Sequence, residues 1–497
     1  MTAHDDLMNH WRRIEALSAA SGLLAWDQEV TMPRAGAPQR AEELGALAEV
    51  IHRERTDPRV ADWLDGATAE ARDDVARAQL RHIRRQHERA ARLPGQLAAE
   101  IARVTSRAQG IWAAAREADD VAAFLPVLGD VVRLKRAEAA ALAGDGSPYD
   151  ALLEDFEPET TGDQIAALFA GMRPRLTRLR DAILGSDRNI PTLAGRFAED
   201  AQMALGQEVA RAFGFDFAAG RLDVSVHPFT SGSGRDVRIT TRIDPEDPLG
   251  NLYAVIHETG HAAYEQAIDP AYALTPLGKG VSMGVHESQS RLYENQLGRS
   301  RGFAAWLFDR MTARFGDIGV ADAAGFFAAV NRVHPGFIRT EADEVQYNLH
   351  IMLRFDLERA LIAGDLAVGD LEAAWNDRFA ADFGYAVDRP RNGMLQDVHW
   401  SVGLFGYFPT YALGNVYAAC LMERLCRDSP ELDASLAAGD PSPATAWLHR
   451  AVQCHGGLYP PREVIARAAG GTPTAAPLLR YLEAKFGALY DVTGALA

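Results

Sequence analysis

Cysteine is scarce: the 497 residues hold three, Cys420, Cys426 and Cys454. That is too few for a disulfide framework and suits a reducing compartment. Positive charge is also in deficit, with 51 Lys and Arg against 68 Asp and Glu and a formal net charge of −17. Such a balance argues against nucleic acid and anionic membrane surfaces as partners. No stretch approaches the ~18 uncharged apolar residues of a membrane-crossing helix. The opening residues, MTAHDDLMNHWRRIEAL, carry charges where a secretory signal would place its apolar core. Internal repeats and long low-complexity linkers are lacking as well. These absences predict a cytoplasmic protein with no nucleic-acid and no membrane partner. What is present, 47% hydrophobic and 24% charged residues, is the composition of a globular chain long enough for a sizeable core.

Residues 5 to about 185 read as successive amphipathic helices rich in Ala, Leu, Arg and Glu. Ile165, Leu168, Met172, Leu176, Leu179 and Ile183 keep the helical period, with Pro174 expected to kink that helix. Residues 25–40 and 144–161 interrupt the pattern as ordered loops or helix junctions. Arg81, Arg84, Arg85, Arg89 and Arg92 are read as a solvated helix face among acidic residues. Between Arg221 and Ile243 the period changes. RLDVSVHPF and DVRITTRI alternate apolar and polar residues around the turn-rich TSGSG, which predicts a β-hairpin or small sheet. After Glu287 the chain returns to helix. The expectation is a mainly α fold with a small β ribbon.

The densest chemistry follows that ribbon, in YAVIHETGHA (253–262). His257 and His261 are four apart, so on a helix both imidazoles face one way and can share a metal ion. Glu258 is turned roughly 100° from His257, placed to reach a water rather than the metal. This is the H-E-x-x-H pattern of zinc peptidases, two His as ligands and the Glu as general base. Asp247-Pro248 supplies a helix start, and Leu249, Leu252, Ile256, Gly260, Ala263 and Ala267 form a buried stripe beside the pair. The plainer reading, a core helix with two satisfied histidines, leaves Glu258 unexplained.

A catalytic zinc site normally takes three protein ligands and keeps one position open. The continuation H-E-x-x-H-x-x-G-x-x-H fails, because Tyr264 and Ala267 stand where Gly and His are required. Glu265 lies ~12 Å along the helix from His257, too far to converge. The next cluster is VHESQSRLYEN (285–295). Its Glu287 is far enough past His261 for a turn and a returning helix, and His286 is its rival.

HPF (227–229), DVRIT (236–240), HETGH (257–261), HESQ (286–289), IRTEAD (338–343) and GMLQDVHW (393–400) together resemble the motifs of the carboxypeptidase Taq family of metallocarboxypeptidases. LLAWDQEVTMP (23–33) and PYDALLEDFEP (148–158) are similar to that family's amino-terminal segments. The resemblance implies a two-lobed helical fold with a deep groove, one peptidase unit over 1–497, often a homodimer. The helical lobe is placed at 1–200 and the metal-bearing lobe at 201–497, with a hinge between them. It also implies ligation by His257, His261 and Glu287 of zinc, with cobalt possible, and removal of single residues from peptide carboxy termini. Broad specificity that disfavours proline belongs to the same implication.

Several other residues are candidates in that chemistry. His399, Tyr407 and Tyr411 are placed to stabilise the developing oxyanion; packed aromatics or a satisfied core histidine are the plainer readings. Arg339, and after it Arg238, suits a free carboxylate, because its fork of donors binds one bidentately. The plainer reading for each is a salt bridge to the motif acids Asp343 or Asp236. Gln289 and Asp397 are read as groups that orient the ligands or the histidine. Two rival functions stand against the carboxypeptidase: a zinc endopeptidase or oligopeptidase, and a non-catalytic scaffold pinned by metal. A structural zinc site would be closed by a fourth ligand, often Cys, and no cysteine lies near 257–287.

Overall fold

Local signals start the helices where the sequence places them. Thr2, Asp73, Asp120, Ser147 and Thr161 each accept a backbone N–H of the first turn that follows, satisfying donors that the helix itself cannot. In a computed structural model of the chain, which describes residues 2–496, helices Ala3–Val30, Ala37–Arg55, Arg59–Glu70, Asp74–Arg92, Gly95–Ala118, Val121–Ala143 and Gly162–Leu184 fill the amino-terminal part. The last of these runs through Pro174 as one helix.

Two of the three hydrophobic cores draw on these helices. A small one joins Leu7, Trp11, Ile14, Val60, Leu64 and Ile83. The large one draws on residues from Val104 to Tyr490. The two are tied by the helix Asp74–Arg92. Arg81 and His82 donate to the carbonyls of Leu458 (3.0 Å) and Gly457 (2.7 Å), and Arg89 pairs with Asp155 at 2.7 Å. The arginine row is thus a seam at Arg81, Arg85 and Arg89, while the Arg84 and Arg92 side chains keep the solvated character expected, 42% and 54% exposed among acidic residues.

His82 makes that seam sensitive to acid. Burial holds its pKa down from 6.5 to about 4, so the folded chain resists a proton that the unfolded chain takes near 6.5. Its contribution is complete above pH 6.5 and is lost as the pH falls toward 4, on the order of 3 kcal/mol. Thermal unfolding across this range should show a shallower pH dependence for His82→Gln; equal slopes would exclude His82 as a source.

The β region is the small sheet that the alternation allows beside a hairpin, with the turn placed differently. Strands β1 (Gly220–Val224), β2 (Thr230–Ser233) and β3 (Asp236–Thr241) form one sheet in the order β1-β3-β2. β1 runs parallel to β3, and the hairpin is β2 with β3. TSGSG, read as the turn, is itself the edge strand. A composition of small residues and glycine resembles a turn, but Gly232 at φ +94° lies against the backbone of Asp236, where a Cβ would meet a carbonyl oxygen at 2.0 Å. Val237 and Ile239 of β3 pack with Val255 and Ala262 of the following helix, so the sheet lies directly on the helix that carries HETGH.

Candidate metal centre

Two helices build the centre. The first, Pro248–Ala267, begins as expected, with Asp247 accepting from the Gly250 N–H (3.1 Å) and Pro248 in the first turn. It carries His257 and His261 with ring centroids 5.0 Å apart. The second, Met283–Arg291, begins on Ser282, which accepts from Val285 N–H (3.1 Å), and widens into a π-helical turn over Leu292–Leu297. Such turns re-aim side chains at functional sites; here the turn carries Glu294.

Glycine lets the helices meet. A Cβ on Gly260 would lie 2.6 Å from Ser290 Cα and 2.7 Å from Gln289 O. On a third helix, Pro409–Asp428, a Cβ on Gly414 would lie 2.5 Å from Glu287 Cγ. The helix of Glu287 is thus approached closely by both neighbours, at Gln289 and Ser290 by Gly260 and at Glu287 itself by Gly414.

His257, His261 and Glu287 offer ligand atoms that all lie within 4.8 Å of one another, the one such group of three among the described residues. Glu287 Oε2 is 3.7 Å from His257 Nε2 and 3.4 Å from His261 Nε2. The outer atoms are all engaged. His257 Nδ1 donates to Glu294 (2.9 Å), and Glu287 Oε1 accepts from Arg291 Nε (2.6 Å). His261 Nδ1 is 2.7 Å from His286 Nδ1, and His286 Nε2 donates to Glu265 Oε1 (2.8 Å). With that proton on Nε2, a neutral His286 accepts from His261 at Nδ1. Both ligand histidines then turn a free Nε2 lone pair inward, as metal ligands with a hydrogen-bonded outer nitrogen do. Two imidazoles and a carboxylate are the donor set of an open catalytic zinc site, so these residues fit such a metal. His286, the rival third ligand, and Glu265 serve instead behind His261.

Electrostatics favours the ligating form at Glu287 and His261 and the protonated form at His257. Burial opposes the charge on Glu287, but Arg291 and the two histidines hold its carboxyl well below the usual range. Glu294, similarly placed against His257 and Arg291, is held down to about 2. Burial holds His261 down to about 3, in its neutral form. For His257 burial pushes the same way, and the carboxylates of Glu287 and Glu294 outweigh it and raise the pKa.

Glu258 is bonded to the sheet, where Thr230 of β2 donates to its Oε2 (2.6 Å). Burial raises its pKa above 4.5. One carboxylate oxygen is thereby fixed and the other is left for a water. The remaining candidates continue outward from Glu287. Arg291 stacks on Tyr347 (4.0 Å), whose hydroxyl accepts from Arg339 Nη1 (3.1 Å). The Nε and Nη2 edge of Arg339 is on Asp397 (3.1 and 2.8 Å), which Arg354 also reaches at 2.7 Å. His399 stands 3.3 Å from the Tyr411 hydroxyl, and the Tyr407 and Tyr411 rings are 5.3 Å apart. The Glu287 charge adds to burial in raising both tyrosines, Tyr407 to about 12. Arg238 stands elsewhere, with its fork on Asp236 (2.8 and 3.0 Å) and its guanidinium 4.3 Å over Trp26. Gln289 accepts from Gln453 rather than bonding a ligand.

Thr230, Arg291, Glu294, Tyr347 and Arg354 are parts of the site that sequence reasoning passed over. Arg291 and Glu294, four and seven residues past Glu287, follow helical spacing and were open to the argument that paired His257 with His261. The other three come from distant segments and leave no local signal.

A family model described as carboxypeptidase Taq (M32) metallopeptidase matches residues 6–486. Thermostable carboxypeptidase 1 of Thermus thermophilus is 40% identical over 504 residues, covering 98% of this chain and 99% of the relative. The crystal structure of an M32 carboxypeptidase from Deinococcus radiodurans R1 superposes with a TM-score of 0.92 at 37% identity, over 99% of this chain and 100% of that one. Trypanosoma cruzi metallocarboxypeptidase 1 gives a TM-score of 0.94 at 33% identity, over 97% and 99%.

Proposed function

The chain belongs to the carboxypeptidase Taq (M32) family of metallopeptidases, and from that premise we propose that it removes single residues from the carboxy termini of peptides, with Glu258 as general base. Membership makes it a peptide hydrolase. The observation that carries the finer reading is Glu258 beside the His257–His261–Glu287 group, tied by one oxygen and open at the other.

When bound, a divalent cation, zinc in our reading with cobalt as an alternative, supplies the Lewis acidity that lowers the pKa of water toward ~7 and polarises the scissile carbonyl. Glu258 takes a proton from the attacking water and delivers it to the leaving amine. Thr230 fixes the direction from which it does so. Tyr411 and Tyr407, with His399 behind Tyr411, supply donors to the oxygen on which charge develops. Arg339 is our choice for the substrate carboxylate: its Nη1 corner, shared with Tyr347, is the part that Asp397 leaves over. Asp236 takes the Nε and Nη2 edge of Arg238 just as Asp397 takes that of Arg339; Arg238 is the second choice because it stands over Trp26, whereas Arg339 stands over Tyr411.

Broad specificity with proline disfavoured, a homodimer and a cytoplasmic setting are part of the same proposal, as are the one-unit organisation over 1–497 and its two lobes. No helix among the described residues is long and apolar enough to cross a membrane. The three cysteines are free, in keeping with a reducing compartment.

One amino-blocked peptide, as free acid and as carboxy-terminal amide, tests the reading. Release of the last residue from the free acid alone, abolished by chelator and restored by Zn²⁺ or Co²⁺, is the expected result. Internal cuts in both forms would make the chain an endopeptidase, and no cleavage by metal-loaded protein would leave a scaffold. Arg339→Ala should lower kcat/KM on the free acid by about 10²-fold, the scale of a lost charged hydrogen-bond pair. An unchanged value would take Arg339 out of the carboxylate site.

A further inference from the structure

The segment 148–158, PYDALLEDFEP, takes no part in the chemistry above, yet it touches both sides of the centre. At its far end the Phe156 carbonyl accepts from Met283 N–H (2.9 Å), and Glu157 Oε2 accepts from Gly284 N–H (2.9 Å). The helix that carries Glu287 thus begins on two consecutive residues of the segment. Gly284 admits the carboxylate: a Cβ there would lie 2.5 Å from Glu157 Oε2. The other oxygen, Oε1, accepts from the Tyr417 hydroxyl (3.1 Å). Tyr417 lies on Pro409–Asp428, whose Gly414 packs on Glu287. Glu157 therefore ties the helix that carries Glu287 to the helix whose Gly414 packs on it.

The near end holds the opposite wall. The Tyr149 hydroxyl donates to Glu358 Oε2 (3.0 Å), which also accepts from Gly406 N–H (3.1 Å), while Glu358 Oε1 accepts from Trp400 Nε1 (3.0 Å). Trp400 and Gly406 bracket the loop between His399 and Tyr407. That loop lies on the segment directly: a Cβ on Gly406 would meet Leu153 N at 2.9 Å, and the Phe156 and Tyr407 rings meet edge to face at 5.0 Å.

We propose that segment 148–158 is a brace that sets the spacing between the Glu287 helix and the loop bearing His399, Tyr407 and Tyr411, acting through Glu157 and Glu358 as positioning residues. Both carboxylates are fully buried, and no salt bridge reaches either among the described residues. A buried carboxylate without a cation is costly, and an apolar side chain would serve packing better. What these two provide instead is reach, each gathering donors from segments far apart in the chain. Burial raises both to about 7, in keeping with that cost.

At Glu358 each oxygen faces an N–H that can only donate, so a Gln amide there turns its NH₂ on one of them. At Glu157 a Gln keeps Gly284 N–H through its carbonyl only by turning its NH₂ on the Tyr417 hydroxyl, which must then reverse and accept. With Glu157→Gln, Zn²⁺ affinity in chelator competition should fall about 10-fold or more, the scale of groups that orient a metal ligand, while kcat at saturating Zn²⁺ stays within about 2-fold. With Glu358→Gln, Zn²⁺ affinity should hold, and kcat should fall about 10-fold or more with KM little changed. Tyr417→Phe and Tyr149→Phe, each removing one donor, should repeat the split at smaller size and serve if a Gln variant fails to fold. Parallel loss of both readouts in proportion to melting temperature would overturn the brace, as would Glu358→Gln with wild-type kcat or Glu157→Gln with wild-type affinity. The kcat arm rests on the peptidase reading; if the chain cleaves no peptide that reading fails, and the affinity contrast between Glu157→Gln and Glu358→Gln still decides the brace.

Discussion

Glu258→Gln should leave the metal in place and remove about 10²- to 10⁴-fold from kcat, the range for a positioned acid–base group. The substitution keeps the bulk of the side chain and, through its carbonyl, the bond from Thr230. What it removes is the capacity to accept a proton from water and return it to the amine. KM and metal content should stay near wild type, because Glu258 is not among the ligand atoms. Steady-state kinetics with metal analysis on the same sample checks this. A variant that holds metal and keeps kcat would assign the base to another group.

Glu287→Gln should fail in the opposite order. It removes the anionic ligand, and Oε1 or its NH₂ replacement must still face Arg291, which now donates to it at 2.6 Å. Metal affinity should fall by more than the 10- to 100-fold typical of groups behind the ligands, and activity with it. Stability should drop as well, since the Glu287 and Arg291 side chains are only 6% and 13% exposed and breaking a buried pair costs about 3–5 kcal/mol when nothing replaces it. Glu294, 3.3 Å from Arg291, keeps the loss below that figure. The measurements are metal per chain after dialysis and melting temperature with and without Zn²⁺. Full metal content in this variant would return the third position to His286.

The part of the centre that sequence could carry is the part that local geometry dictates. His257 and His261 face together because four residues make about one helical turn, and Arg238 finds Asp236 because alternate strand residues share a face. Glu287 was reachable by spacing only as a rival to His286; the difference between them lies in His286 being turned to Glu265 and His261, which no spacing expresses. Arg339 shows the limit most plainly. The motif acid read as its partner, Asp343, instead accepts from Val345, and the arginine reaches 58 residues on to Asp397. The helical character of the first 185 residues was legible from period and caps. That their core draws on residues as far as Tyr490 was not, because amphipathic stripes show which face is buried but not against what.

Glycines 260 and 414 bear on how this chain could be made more stable. Replacing a glycine inside a helix with alanine usually gains ~0.5–1 kcal/mol, and it is an ordinary route to a hardier enzyme. Gly22, Gly45, Gly110, Gly129 and Gly171 lie within helices with nothing within 4 Å of an added methyl, so that gain is open there. At 260 and 414 the same methyl would wedge the ligand helix from its neighbours. The centre has given up helix propensity for proximity, and a consensus of helix-favouring residues would improve the scaffold while dismantling the site.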